Sequence, residues 1–205
     1  MNNPWKEVSL NDYERHMMHS SVYQAQTLNN IMYHQLNDYK ATRLMILGIA
    51  GGNGLNHVNV NEREKVYGVD INADYLEECQ KRYPDLSGIF EPICADLCSR
   101  DTTLPNAELV IADLVIEYIG YEAFQKQIAK IKPHYVSTVI QINEGAEFVS
   151  ESPYIKALEV LQPVHHQIDI QGLNSTMESI LYMNTYTEII PLANGKKFVR
   201  LDYKF

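Results

Sequence analysis

The chain has 205 residues, of which 45% are hydrophobic and 21% are charged, and its formal net charge is −9. This size and composition are typical of one globular domain. The acidic balance argues against a nucleic-acid partner, which needs clustered positive charge, and no apolar run approaches the roughly 20 residues that cross a bilayer. Three cysteines, Cys79, Cys94 and Cys98, are an odd and sparse set, so reduced thiols and a cytoplasmic location are expected.

Residues 1–40 are predicted to be helical. Leu28, Met32 and Leu36 recur every four positions, as on the buried face of a helix, and a shorter helix is expected around Tyr13 and His16. Two placements fit this region equally: a cap over the carboxyl ends of the strands, or packing against the flank of the sheet.

Residues 42–205 are predicted to form a Rossmann-like core, in which short apolar strands alternate with helices. The expected strands cover residues 43–50, 65–71, 88–96, 107–114, 135–142, 185–190 and 196–205. Pro92 lacks a ladder donor, which favours an edge position for the third strand. Asn194-Gly195 predicts a tight hairpin between the last two strands.

Helices are expected over residues 72–83, 121–131 and 152–162. Ser175 and Glu178 have the spacing of a capping box, which predicts that a last short helix begins there. The sequence therefore predicts an α/β fold with one domain over residues 1–205. Its doubly wound seven-stranded sheet is mostly parallel, with a C-terminal antiparallel hairpin, helices on both faces and an N-terminal helical cap.

A glycine-rich loop, LGIAGGNG at residues 47–54, follows the first strand. Glycine permits positive φ and removes the Cβ atom, so a ligand could lie against bare main chain. The loop ends in Gly54-Leu55-Asn56, which lacks the Gly-Lys-Ser/Thr of a P-loop. His57 stands where a dinucleotide fingerprint needs its third glycine.

Three aspartates close successive strands: Asp70, Asp96 and Asp113. The carboxyl ends of parallel strands form the ligand edge of an open α/β sheet. A carboxylate at position 70 can accept hydrogen bonds from ribose hydroxyls, and position 96 can receive an adenine amine. The loop contains no lysine or arginine, so an adenosine without phosphates fits better than a diphosphate.

These segments together resemble the class I S-adenosylmethionine-dependent methyltransferases from about residue 42 onward. ILGIAGGNG, GVDIN, ICADL and ELVIADLVIEYIG are similar to that family's first four motifs, in order. The resemblance implies the fold above and S-adenosylmethionine as cofactor. The expected methyl acceptor is a small molecule, with a protein side chain as the weaker alternative. The cofactor-binding residues it implies are Gly48, Ala50, Gly51, Gly52, Asn53, Gly54, Asp70, Ile71, Asp96, Leu97 and Asp113.

The motifs depart from the family pattern at three places, one of which is His134-Tyr135, where the family commonly has a glycine pair before the fifth strand. Gly48 replaces an acid and Ala50 replaces the first motif glycine, so the cofactor's amino group needs another partner. The Asn-Pro-Pro-aromatic signature of enzymes that methylate base amines and glutamine amides is absent after the fourth strand, which argues against those acceptors.

Methyl transfer from a sulfonium mainly requires alignment, so no universal catalytic motif is expected and the general base stays undetermined. Candidates for contact with the acceptor are Tyr13, His16, Glu117, Tyr118, His165 and His166. Each is also compatible with a surface or packing role. No metal site is expected, since His16, His19 and His34 lack an acidic or cysteine partner at suitable spacing.

Two further functions remain open at this point: a dinucleotide-dependent oxidoreductase, and a non-catalytic protein that binds S-adenosylmethionine. The oligomeric state is open as well.

Overall fold

The computed structural model describes residues 3–143 and 149–205 and contains a seven-stranded sheet. Only residues 1–2 of the predicted cap and 144–148 of the predicted core lie outside the described part. The strands are β1 (Arg43–Leu47), β2 (Lys65–Asp70), β3 (Phe90–Cys94), β4 (Leu109–Asp113), β5 (Tyr135–Ile142), β6 (Met183–Pro191) and β7 (Lys197–Lys204). Their order is β3-β2-β1-β4-β5-β7-β6, with β7 antiparallel to both β5 and β6 and the other pairs parallel. The predicted fold class is confirmed, and β3 lies at an edge as Pro92 indicates.

The helices are α1 (Leu10–Met18), α2 (Gln24–Asn37), α3 (Ala73–Arg82), α4 (Ile116–Ile131), α5 (Ile155–Leu158) and α6 (Ile170–Glu178). Short 3-10 turns cover Pro4–Lys6, Leu55–His57, Pro84–Leu86 and Glu159–Val164. The helices cover both faces of the sheet, which explains why its central strands are apolar throughout. Leu44 and Ile46 of β1 belong to one buried cluster, whereas Met45 and Leu47 belong to the cluster on the opposite face.

The N-terminal region has two positions in the fold. On α2, Met32 and Leu36 pack into the cluster that contains Leu44 and Ile46, so this helix lies on the flank of the sheet. The Pro4–Lys6 turn and α1 lie over the carboxyl ends of the strands. Hydrogen bonds tie this cover to α3: Asn72 Nδ2 donates to the Trp5 carbonyl (3.0 Å), and the Tyr75 hydroxyl donates to the Val8 carbonyl (2.8 Å).

The last helix begins earlier than predicted. Asp169 caps α6, with its Oδ1 accepting a hydrogen bond from the backbone N–H of Gly172 (2.8 Å), and Ser175 and Glu178 belong to the end of that helix. The capping-box interpretation was therefore wrong. Gly172 lies inside this helix. A Cβ at this position would lie 2.5 Å from the Tyr121 hydroxyl, so the close packing of Tyr121 requires glycine.

Strand β1 is also shorter than predicted. It ends at Leu47 because Gly48 (φ +70°) and Ala50 (φ +48°) adopt left-handed backbone conformations that turn the chain out of the sheet. The carboxyl end of β1 therefore opens into a loop one residue after the last ladder position, and this loop forms part of the wall described next.

Candidate active site

A cavity lies at the carboxyl ends of β1, β2 and β4, beneath the Pro4–Lys6 turn and α1. It brings together most of the residues that the sequence singles out. Those in its wall are Tyr13, His16, Gly48, Ala50, Asp70, Ile71, Asp96, Leu97, Asp113, Glu117, Tyr118 and His165. Gly51, Gly52, Asn53, Gly54 and His166 are outside the wall of this cavity.

The glycine loop divides into two parts. Gly48 lines the cavity, and a Cβ there would lie 2.9 Å from Val115 Cγ2, so the close approach of the chain segment after β4 requires glycine. A Cβ at Gly52 would lie 2.7 Å from Cys79 Sγ and from Tyr83, and one at Gly54 would overlap Met32. The later glycines therefore make room for α3 and α2, and their contact with a cofactor stays a prediction.

Asp70 closes β2 and is 8% exposed. Its Oδ2 accepts a hydrogen bond from the backbone N–H of Ala50, and its Oδ1 accepts one from that of Asn72, both at 2.9 Å. Burial raises the pKa of Asp70, and these N–H groups partly offset that rise. Asp70 thus fixes the loop after β1, and its carboxylate lines the cavity, where it can accept a hydrogen bond from a hydroxyl donor.

Beside Asp70, the wall is formed by Ile71, Leu97 and the exposed Asp96. Asp96 Oδ1 accepts a hydrogen bond from the backbone N–H of Cys98 (2.9 Å), which shapes the turn after β3. Two apolar side chains next to a carboxylate are suited to a flat ring with an exocyclic donor. This part of the wall is the place that the sequence predicts for adenine.

Asp113 stands at the end of β4. Its Oδ1 accepts a hydrogen bond from Gln35 Nε2 (2.8 Å), while its Oδ2 is shielded from solvent and has no partner among the described residues. Burial raises its pKa to about 7. Gln35 is fully buried on α2 and was missed at the sequence level, although a glutamine four positions after Ile31 on an apolar helix face was a visible signal.

Glu117 in the first turn of α4 is 4% exposed. Its Oε1 accepts a hydrogen bond from the backbone N–H of Gln141 (2.8 Å), and its Oε2 has no partner in the described part of the chain. Burial raises its pKa to about 7. The turn that presents Glu117 follows Leu114, a non-glycine residue at φ +55°, and such strained backbone tends to occur at functional sites.

Aromatic rings close the cavity. Trp5 makes edge-on contacts with Tyr118 (centroids 4.8 Å apart) and Tyr13 (5.5 Å), and Tyr118 contacts His165 in the same manner (5.8 Å). Burial raises the pKa of both tyrosines, so their hydroxyls stay protonated. Trp5 was missed at the sequence level because its isolated position near the N-terminus has no periodic pattern around it.

The candidate histidines differ in their surroundings. His16 is 3% exposed, its Nδ1 is 2.8 Å from the Ser152 hydroxyl, and burial lowers its pKa to about 4. Burial also lowers the pKa of His165, so both rings in the wall favour the neutral form. His166 is exposed, and its backbone N–H donates to the Glu117 carbonyl (2.6 Å), so it supports α4 from outside the cavity.

Within residues 3–143 and 149–205, no three His, Cys, Asp or Glu side chains converge as metal ligands would. No helix in the same ranges combines the length and the apolar character of a membrane span.

The sequence matches no protein-family model and no curated protein. Solved structures do resemble it. Magnesium protoporphyrin IX methyltransferase from Synechocystis PCC 6803, with bound S-adenosylmethionine, superimposes with a TM-score of 0.70 at 10% identity, over 100% of this chain and 97% of the other. A geranyl diphosphate methyltransferase in complex with S-adenosylmethionine superimposes with a TM-score of 0.66 at 8% identity, over 87% and 84% of the two chains.

The chain has the class I methyltransferase fold. This fold is shared with a protein described as a cyclase, SpnF, which superimposes with a TM-score of 0.66 at 9% identity over 89% of this chain and 82% of the other. A methyltransferase fold at such identities establishes the architecture, and the reaction has to be argued from the cavity.

Proposed function

We propose that this protein is an S-adenosylmethionine-dependent methyltransferase that acts on a small molecule. The observation that carries the proposal is the position of Asp70. This buried carboxylate closes β2 within the cavity wall, next to the bare main chain of Gly48 and the left-handed Ala50. The methyltransferase fold places its ligand edge at the same ends of the strands.

The residues present fit the cofactor. Asp70 would accept hydrogen bonds from the ribose hydroxyls, Ile71 and Leu97 would enclose the adenine, and Asp96 would receive its amine. A Cβ at Gly48 would fill the space against Val115, so main chain alone is exposed there. The described wall contains no lysine or arginine, which suits a nucleoside without phosphates.

When bound, the cofactor supplies a methyl group on a positively charged sulfur, which is already activated for displacement. The protein has to hold an acceptor in line with that methyl and exclude water. Water would be excluded by the rings of Trp5, Tyr13 and Tyr118, because Trp5 contacts both tyrosines over the cavity. Glu117 and Asp113 present the carboxylate oxygens that can orient or deprotonate an acceptor.

The structure offers less support for the alternatives. A dinucleotide-dependent oxidoreductase typically has the strand order 3-2-1-4-5-6, whereas here an antiparallel β7 lies between β5 and β6. A non-catalytic binder would retain Asp70 and bind cofactor, so only a transfer assay separates it from an enzyme. The cytoplasmic location and the single-domain organisation stay predictions of the sequence.

The first test is isothermal calorimetry with S-adenosylmethionine and S-adenosylhomocysteine. Asp70→Asn is expected to raise the Kd for both at least about tenfold, because a hydrogen bond to a charged acceptor contributes roughly 1.5–3 kcal/mol. Asp74→Asn, in the exposed first turn of α3, is the matched control and should leave the Kd unchanged. Equal affinities for the wild type and Asp70→Asn would show that the ribose assignment is wrong.

The second test is transfer of a labelled methyl group from S-adenosylmethionine to a pool of small metabolites. Incorporation of label identifies an enzyme. Binding without incorporation into any acceptor would favour the non-catalytic alternative.

A further inference from the structure

The charged groups of the cavity wall all have the same sign. Four carboxylates line it, and each accepts at least one hydrogen bond from the protein: Asp70 on both oxygens, and Asp96, Asp113 and Glu117 on one oxygen each. The described wall contains no lysine or arginine. Lys196 is buried close enough to lower the pKa of His16, but it does not form part of the wall.

Two carboxylate oxygens in the wall have no partner among the described residues, Glu117 Oε2 and Asp113 Oδ2. A solvent-shielded carboxylate oxygen without a partner costs free energy, so such a group indicates a ligand that supplies the donor. Glu117 is the better defined of the two, since the residue is 96% buried and its other oxygen is fixed by the Gln141 backbone.

Aromatic rings lie in the same wall. Trp5 and Tyr118 contact each other edge-on, Tyr118 is the residue next to Glu117, and Tyr13 lies against Trp5. Aromatic faces attract cations, and buried carboxylates bind them. A wall that combines both and holds no cation of its own is complementary to a positively charged or hydrogen-bond-donating nitrogen.

We infer that the methyl acceptor is a primary or secondary amine, bound with its nitrogen at Glu117 Oε2 and its carbon skeleton against Trp5 and Tyr118. This inference rests on the proposed function and adds the chemical class of the substrate. An acceptor that carries phosphate or diphosphate would face four carboxylates and no lysine or arginine in the described wall, and it is disfavoured for that reason.

The transfer step balances with this arrangement. The amine enters as an ammonium ion and gives one proton to the Glu117 carboxylate, which frees the nitrogen lone pair. That lone pair forms the new N–C bond, and the electrons of the broken S–C bond stay on the cofactor's sulfur. The product leaves as a methylated ammonium ion, and Glu117 returns its proton to water. A pKa near 7 suits a group that accepts and releases a proton at neutral pH.

The test uses three probes of one shape, 2-phenylethylamine, 2-phenylethanol and phenylacetate, with protein saturated by S-adenosylhomocysteine. Trp5 is the single tryptophan of the chain, so its fluorescence reports occupancy of this cavity. The amine is expected to bind at least about tenfold more tightly than the alcohol or the acid. Equal or weaker binding of the amine, or no response to any of the three probes, would overturn the inference.

Glu117→Gln keeps the acceptor for the Gln141 backbone and removes the charge. In this variant the amine should bind no more than about threefold more tightly than the alcohol or the acid. The Kd for S-adenosylhomocysteine should stay within about threefold of the wild-type value. Glu122→Gln, on the exposed face of the same helix, is the matched control and should keep the preference. A preference that survives in Glu117→Gln contradicts the assignment. If that variant does not fold, Tyr118→Leu replaces it, and an unchanged amine affinity there is equally contradictory.

The labelled-methyl assay provides the second arm. Label is expected in products retained by a cation exchanger, and label confined to neutral or acidic products would overturn the amine assignment. Failure of the proposed function can be told apart from failure of the amine assignment. In the first case the wild-type protein does not bind S-adenosylhomocysteine, which is seen before any probe is added.

Discussion

The glycines of the loop after β1 are required for different physical reasons. Gly48 belongs to the cavity wall, whereas Gly52 and Gly54 face side chains of α3 and α2. All three have positive φ. A Cβ at Gly48 would meet only Val115, in the segment after β4, whereas a Cβ at Gly52 or Gly54 would meet side chains of or next to α3 and α2. A glycine-rich pattern therefore predicts that side chains are excluded without indicating what excludes them.

Gly54→Ala tests the packing role. A Cβ at this position combines a strained φ of +95° with an overlap at Met32, so the free energy of unfolding is expected to fall by about 2 kcal/mol or more. Gly195→Ala is a matched control, because φ is +80° there and no atom lies within 4 Å of the added Cβ. Urea denaturation measures both. If the two variants lose equal stability, backbone strain alone explains Gly54 and the overlap contributes nothing.

Some site residues could be predicted from neighbouring residues in the sequence, and others depend on contacts with residues that are distant in sequence. The positions of Asp70, Asp96 and Asp113 could be predicted, because Asp70 and Asp113 end strands, Asp96 lies two residues after β3, and the ends of parallel strands meet at one edge. The roles of Trp5 and Gln35 could not, since each depends on a contact with a residue distant in sequence, Tyr118 and Asp113 respectively. A local pattern, such as a glutamine on an apolar helix face, can indicate a buried polar contact, but it does not identify the distant partner.

At the scale of elements, β7 shows that alternation of polar and apolar residues does not always predict which face of a strand is buried. Its sequence places Arg200 and Asp202 on one face and apolar residues on the other, yet Arg200 is 2% exposed and Asp202 is 1% exposed. The segment that directly follows α2 covers this face, where the Tyr39 hydroxyl donates to Asp202 Oδ2 (2.6 Å) and Arg200 pairs with Asp38 (2.8 Å). A buried ion pair needs its remaining polar atoms satisfied, and here Asp38 and Tyr39, which are distant in sequence from β7, supply partners.

Asp202→Ala is expected to lower the free energy of unfolding by about 3–5 kcal/mol, because it leaves the buried Arg200 guanidinium without its main partner. Asp38→Ala removes the other carboxylate, whose side chain is 45% exposed, and should cost less than about 1 kcal/mol. Chemical denaturation compares them. Similar losses in the two variants would mean that Asp202 is not the main partner of the buried Arg200 guanidinium.

Element types and their order were predictable because short apolar runs, Pro92 and Asn194-Gly195 each act locally on the backbone. The start of α6 was not, because the spacing of Ser175 and Glu178 indicates a later start, and the packing of Tyr121 against Gly172 is invisible in the sequence. Errors therefore occur where tertiary packing overrides a local preference.

At the scale of the whole molecule, the cavity retains carboxylates that the fold itself does not neutralise. Burial raises the pKa of Asp113 and of Glu117 to about 7, whereas both groups would titrate near 4 in the unfolded chain. Between about pH 4 and pH 7 the folded state therefore binds more protons than the unfolded state. Linkage then requires these two groups to reduce stability as pH rises through that interval. His16, with its pKa lowered to about 4, acts in the opposite direction, so the total curve mixes both effects.

The double variant Asp113→Asn/Glu117→Gln isolates the carboxylates. Its free energy of unfolding relative to the wild type should increase as pH rises from about 4 to about 7 and then level off, with a gain of at least about 2 kcal/mol at pH 8. Denaturation curves without cofactor at several pH values measure this difference, in which the contribution of His16 cancels. Glu122→Gln, which alters an exposed carboxylate on α4, should give a difference that is flat with pH. A flat difference for the double variant as well would mean that Asp113 and Glu117 titrate normally in the folded protein, and that the cavity does not retain unneutralised charge for a ligand.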